Sequence, residues 1–139
     1  MKNVLLTGFE PFDGQELNPS EEIAREINEA TIARHKVVGA LLPCVFGAAI
    51  KELKHQIKLH EPDVVICLGL AGGRRAVTPE RVAINLDDAR IPDNAGQQPI
   101  DKPIVKDGPS AYFSTLPVKA IVQSLLRHDI PAEVSNSAG

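Results

Sequence analysis

The sequence predicts an α/β protein: an open, mostly parallel sheet with helices on both faces, arranged as a three-layer sandwich. Two observations carry this. Short apolar runs alternate with amphipathic stretches of helical period, in the order βαβαβ. One of the runs, Val64-Val65-Ile66-Cys67-Leu68, is continuously apolar between Pro62-Asp63 and Gly69, the pattern of a central parallel strand covered on both faces. Right-handed crossovers then restrict the topology.

The elements follow in order. Val4-Leu5-Leu6 before Thr7-Gly8 reads as a short buried strand entering a turn. Asn18-Pro19-Ser20-Glu21 has the grammar of a helix start, with Asn18 as N-cap, Pro19 at the first helical position and Glu21 able to reach back to the cap. Ile23, Ala24 and Ile27 give that helix its apolar face. A strand from Val37 to Leu42 ends at Pro43, and Phe46, Ala49, Ile50, Leu53 and Ile57 recur at helical spacing behind it. After the central strand, Leu86 to Ala111 shows neither period, and an irregular stretch of that length is usually functional or interfacial. A protruding excursion is expected there, with Gly108-Pro109-Ser110 and Tyr112 in a turn. Val118, Ile121, Val122 and Leu125 line a further helix ending near His128-Asp129, and Ala132 to Ser135 reads as a last strand.

A length of 139 residues with 43% hydrophobic content bounds the chain to a single domain, 1–139, with one sizeable core. Its 15 basic and 18 acidic residues are interspersed, giving a net charge of -3 and no basic stripe for phosphates, so nucleic acid is not expected as a partner. No apolar run is long enough for a bilayer and Met1-Lys2-Asn3-Val4 leads straight into a strand, so a cytoplasmic protein without membrane association is expected. Cys44 and Cys67 have no zinc spacing and sit among Leu, Val, Ile and Pro, as buried thiols would.

Ligands of open α/β sheets bind at the carboxyl ends of the strands. The loops leaving such ends are Gly8 to Asn18, Gly69 to Glu80 and whatever follows Ser135, and they are expected to converge. The first holds Phe9 and Phe12, two of only four Phe in the chain, and rings in such a loop either cap the core or line a pocket. Gly69-Leu70-Ala71-Gly72-Gly73 is not a dinucleotide fingerprint, since Arg74-Arg75 leads to Pro79 and not to a helix; it reads as a tight turn. Glu80 beside Arg81 would ordinarily be a surface ion pair. Asp87-Asp88 with Arg90 lacks a histidine or third acid at metal-binding spacing. His35, His55, His60 and His128 fall on or beside amphipathic helices, solvated and unsuited to act as a general base.

Taken together, Gly8-Phe9-Glu10-Pro11-Phe12, Asn18-Pro19-Ser20, Gly69-Leu70-Ala71-Gly72-Gly73-Arg74, Pro79-Glu80-Arg81-Val82-Ala83-Ile84-Asn85, Asp88-Ala89-Arg90-Ile91-Pro92-Asp93-Asn94 and Val134-Ser135-Asn136-Ser137-Ala138-Gly139 resemble the pyroglutamyl-peptidase I, or pyrrolidone-carboxylate peptidase, family. The resemblance implies a cytoplasmic cysteine peptidase that removes amino-terminal 5-oxoproline from peptides with a Cys-His-Glu set. It also implies a peptidase/phosphorylase-like fold, a homo-oligomer (a tetramer in the family) and no cofactor or metal. By the same likeness Glu80 matches the catalytic acid, Phe9 and Phe12 the rings that hold the pyrrolidone, and Arg90 an arginine near the catalytic centre.

The chemistry agrees with the likeness. Pyroglutamate is neutral because its amino group is closed into a lactam, so its site needs apolar faces and a few backbone hydrogen bonds, not a carboxylate for an ammonium. Cleavage by a thiolate needs an imidazole to move the proton and a third group to orient it, a role open to Glu80. Two departures stand out. Leu70 replaces the family's usual glutamine, and relatives carry the nucleophile a few residues beyond the equivalent of Gly139, with the histidine further on. The resemblance therefore implies a sequence that stops before its nucleophile and general base and is inactive alone. A non-catalytic subunit that only folds and associates through residues 86–111, and a nucleoside- or phosphate-binding α/β enzyme, are the alternatives.

Overall fold

The computed structural model describes residues 1–137. The Ala138-Gly139 end of the final small-residue turn lies outside the described residues. The chain forms two compact units, Met1–Leu70 with Ala89–Gln98, and Ala71–Asp88 with the residues from Pro99 onward.

The first unit holds β1 (Lys2–Phe9), α1 (Pro19–Glu26), β2 (Thr31–Ile32), β3 (His35–Leu42), α2 (Ala48–His60) and β4 (Val64–Cys67), with sheet order β2-β3-β1-β4. β1 is parallel to both β3 and β4. The expectation that Val64–Leu68 is central is corrected: β1 takes that place, with Leu5 and Thr7 at 0% exposure, while β4 lies at the edge of this sheet. For the same reason Cys67 is exposed, and Cys44, in the loop after β3, is half-buried; neither is the buried thiol expected. His35 opens β3 and is not on a helix. Ahead of it, Ala33 and Arg34 at φ 47° and 64° make the two-residue hairpin turn between β2 and β3. Neither residue type announces a left-handed conformation, so this hairpin had no local signal.

Helix α1 starts where expected, but its cap works differently. Asn18 Oδ1 accepts the Ser20 N–H at 3.0 Å and the Ser20 hydroxyl at 2.7 Å. Glu21 turns away from the cap to pair with Arg25 at 3.0 Å, one helical turn on. The helix lies directly on strand backbone: a Cβ at Gly8 would run into the Ser20 carbonyl, and one at Gly39 into the Ala24 carbonyl. Leu6 pairs with Gly39 and Gly8 with Leu41, so these residues share the face that α1 covers. The strand order sends the β1-to-β3 crossover one way and the β3-to-β4 crossover back the other, and right-handed crossovers then place α2 on the opposite face. Helices on both sides of a parallel sheet are what the alternating pattern predicts.

The second unit holds β5 (Val82–Ile84), β6 (Ala111–Phe113) and α3 (Val118–Arg127). β5 and β6 pair antiparallel, which puts Tyr112 in a strand and not in the expected turn. Ala132 and Ser135 form parallel bridges to Val77 and Glu80. Val77 N–H donates to Pro131 O (2.9 Å), Glu133 N–H to Val77 O (3.1 Å), Ser135 N–H to Pro79 O (3.0 Å) and Arg81 N–H to Ser135 O (2.8 Å). The rung that would run from residue 79 to Glu133 O is missing because proline has no N–H, so the expected last strand appears as bridges and not as a continuous ladder. Part of the irregular excursion is also ordered by pairing. Asp87 and Lys102 exchange backbone hydrogen bonds at 2.7 and 3.1 Å, and the Asn85 side-chain amide pairs with both the N–H and C=O of Val105 at 2.8 Å.

The buried Asn18 joins the α1 cap to Glu10 O, to which its Nδ2 donates at 3.2 Å. Asn18→Ala is expected to lower unfolding free energy by about 2 kcal/mol, because cap and buried carbonyl lose their partners together. Urea denaturation of the variant beside wild type measures it.

Candidate functional site

Adjacent parallel strands whose connections leave toward opposite faces open a crevice between their carboxyl ends. β1 and β3 are such a pair. The loops that leave those ends run from Glu10 to Asn18 and from Pro43 to Gly47. Phe9 and Phe12 are both half-buried. Phe9 N–H donates to Ser20 Oγ at 2.9 Å, and Glu10 N–H continues the β3 pairing to Leu42 O at 3.1 Å. Phe12 then opens a tight turn, closed by Gln15 N–H on Phe12 O at 3.1 Å, with Asp13 and Gly14 at φ 53° and 69°. The ring-bearing loop is thus fixed at both ends.

Between those ends it is held by groups from far along the chain. Glu10 Oε1 accepts the Cys44 N–H and the Asn94 Nδ2–H, each at 3.0 Å. Asn94 Nδ2 also donates to Pro11 O at 2.9 Å, and its backbone N–H to Cys44 O at 3.0 Å. Next to it, Asp93 Oδ2 accepts Phe46 N–H at 2.8 Å, while Oδ1 accepts Ala95 N–H at 2.9 Å and Gln97 N–H at 2.8 Å. Partial desolvation pushes the Asp93 carboxyl up, but the N–H groups of Phe46, Gln97, Ala95 and Gly96 outweigh it and hold the group below its ordinary value. Cys44 moves the other way. Desolvation, then the Glu10 and Asp93 carboxylates, raise its thiol above the ordinary 9.0, so it is not poised as a thiolate. Arg90 lies exposed in the same 89–98 segment.

Sequence reasoning had singled out the rings and Arg90 but missed Glu10, Asp93 and Asn94 as structural ties. The Asp-Asn-x-Gly run at 93–96 signals a turn. Nothing local signals that its side chains grip loops 47 and 84 residues away.

In the second unit Glu80 is half-buried and its backbone is fixed by the bridge to Ser135. The ion pair with Arg81 expected of a surface carboxylate does not form; among the described residues the one ion pair is Arg25 with Glu21. Glu80 Oε1 is buried without a hydrogen-bond partner among the described residues, a carboxylate oxygen able to take an N–H from an incoming donor. Arg74 secures the same region, donating to Thr78 Oγ1 (3.1 Å), Ser135 Oγ (3.0 Å) and Ser137 O (2.8 Å). The glycine-bearing segment before it is a tight turn, with Gly73 at φ 82° and Arg74 N–H on Ala71 O at 3.3 Å.

The fold is that of the doubly wound α/β class, whose ligands generally bind at the carboxyl ends of the strands. The family model for pyroglutamyl peptidase matches residues 2–139, and the chain belongs to that family. It is 60% identical over 139 residues to a pyrrolidone-carboxylate peptidase of Chromobacterium violaceum and 53% identical to one of Bacillus thuringiensis, covering all of this chain and 66% and 65% of those proteins. It thus spans about two thirds of the length of these curated relatives. Among solved structures, pyroglutamyl peptidase I of Bacillus amyloliquefaciens superposes with a TM-score of 0.97 at 48% identity, over 100% of this chain and 68% of that one. A mutant pyrrolidone carboxyl peptidase of Pyrococcus furiosus gives 0.96 at 50% identity, over 99% and 66%.

Because the Asp93 carboxyl lies below its ordinary 3.8 in the folded protein, its ionised form adds stability above that value, which is lost as pH falls through the lowered one. Asp93→Asn is therefore expected to be less stable than wild type at neutral pH, with the gap closing in strong acid. Denaturant titrations at stepped pH read the closure.

Proposed function

We propose that the protein acts in the hydrolysis of peptides bearing an amino-terminal 5-oxoproline, with the lactam held between Phe9 and Phe12. What supports the reading is that both half-buried rings sit at the carboxyl end of β1 in a braced loop, with backbone donors and acceptors beside them, as a neutral, ring-shaped group would require. Glu80 is the orienting acid for an imidazole, a role supported by its unpartnered buried oxygen. Arg90, exposed on the segment that braces the crevice, stands near the reacting groups in this reading. Neither Cys44, with its raised thiol, nor the exposed Cys67 serves as nucleophile.

The same reading makes the protein a cytoplasmic homo-oligomer that uses no cofactor. Among the described residues no helix is long and apolar enough to cross a membrane. Tyr112 and Phe113 on β6 are 68% and 76% exposed, which favours association through the β5–β6 hairpin.

Calorimetry of the 139-residue chain with 5-oxoproline tests the pocket. Binding is expected, weakened about tenfold or more by Phe9→Ala or Phe12→Ala. A chain that associates but leaves 5-oxoproline unbound contradicts it, as would binding of nucleosides or phosphate in its place. A pyroglutamyl chromogenic amide tests the chemistry, and release abolished by Cys67→Ser would overturn the exclusion of that thiol.

A further inference from the structure

We infer that Asn94 is a positioning residue for the crevice: through Glu10 and the Pro11 carbonyl it fixes the aromatic turn in its ligand-holding shape. The inference rests on the reading of that crevice as the lactam pocket. One amide nitrogen, Asn94 Nδ2, donates both to the Glu10 carboxylate and to the carbonyl immediately before Phe12. The Asn94 backbone N–H reaches across to Cys44 O on the opposite wall, and Cys44 N–H returns to the same Glu10 oxygen. Chain segments 10–11, 44 and 94 therefore close a ring of four hydrogen bonds of 2.9–3.0 Å.

This arrangement demands an amide at position 94. Glu10 Oε1 and Pro11 O are both acceptors, and a short side chain meets them together only if it ends in an NH2 with two protons to give. Aspartate has the right shape but would face both acceptors with a third. Alanine leaves the carboxylate with Cys44 N–H alone. The tie also spans 84 residues of sequence, so it appears only once the chain has folded, and it holds the loop from outside and not through the helix behind it. Its loss should cost the loop its order while leaving the sheet intact, because β1 keeps its backbone rungs to β3 and Phe9 keeps its bond to Ser20.

The experiment pairs two measurements on the 139-residue chain: backbone amide exchange and affinity for 5-oxoproline. In Asn94→Ala, protection is expected to fall at Cys44 and at Gln15, whose N–H closes the Phe12 turn, while Leu5 and Leu6 keep theirs. Affinity is expected to fall about tenfold, the value of one hydrogen bond to a charged group. Asn94→Asp should do the same at neutral pH, with Glu10→Gln added to it restoring part of the affinity, since the glutamine amide can donate to the new carboxylate; a role of Asn94 that does not run through Glu10 predicts no such coupling. Unchanged exchange at Cys44 and Gln15 in Asn94→Ala, or unchanged affinity beside a binding wild type, overturns the inference and leaves the functional reading standing. A wild-type chain that binds no 5-oxoproline overturns that reading instead, and the exchange pattern still decides whether Asn94 holds the turn.

Discussion

The seating of α1 on bare backbone is the constraint from which the first unit follows. Gly8 and Gly39 present no side chain, so the carbonyls of Ser20 and Ala24 come to rest where a Cβ would otherwise stand. That closeness brings Ser20 Oγ to Phe9 N–H and lets Asn18 serve two masters, the helix cap and the Glu10 carbonyl. The loop between strand and helix is consequently tied at its first residues and at its last. Sheet, helix and ring-bearing loop form one braced object, with Asn18 and Ser20 buried at its centre.

The two units use different means to hold chemistry-bearing groups. In the first, charge and amide protons are matched: Glu10 Oε1 and both Asp93 oxygens accept N–H groups from several segments. Such carboxylates are structural: backbone N–H groups depress the Asp93 titration, while desolvation first, and then the Glu10 and Asp93 charges, raise the Cys44 thiol. In the second, Glu80 is held by its main chain, and among the described residues its buried Oε1 has no hydrogen-bond partner.

Much of this was legible in the sequence, for reasons that are local. The Asn-Pro-Ser start of α1, the helical spacing from Ala49 to Ile57 and the apolar run at 64–68 act through near neighbours, and the chain formed elements there. Which strand would be central was not legible, because burial depends on who pairs with whom; the most apolar run went to the edge, and Leu5 and Thr7 took the middle. The hairpin of β5 and β6 joins segments 27 or more residues apart around a stretch without period. The ties from Asp93 and Asn94 were invisible for the same reason, since an Asx side chain announces a turn but not its distant partner. The rings at Phe9 and Phe12 stand out by composition, but only the family likeness gives them a role, and the side chains that brace their loop carry no local signal.

The bond from Phe9 to Ser20 has one further effect. In β1 it is the odd-numbered residues, Thr7 among them, that face β4, and Leu68 N–H on Thr7 O at 2.8 Å is the last rung on that side. The next main-chain proton in line belongs to Phe9, and a hydroxyl from the helix has claimed it. The polypeptide after Leu68 is thereby released from the ladder while β1 is still extended and paired to β3 through Phe9 and Leu42. A single serine thus acts as a zipper stop, and the ladder between β1 and the chain after β4 ends at Leu68.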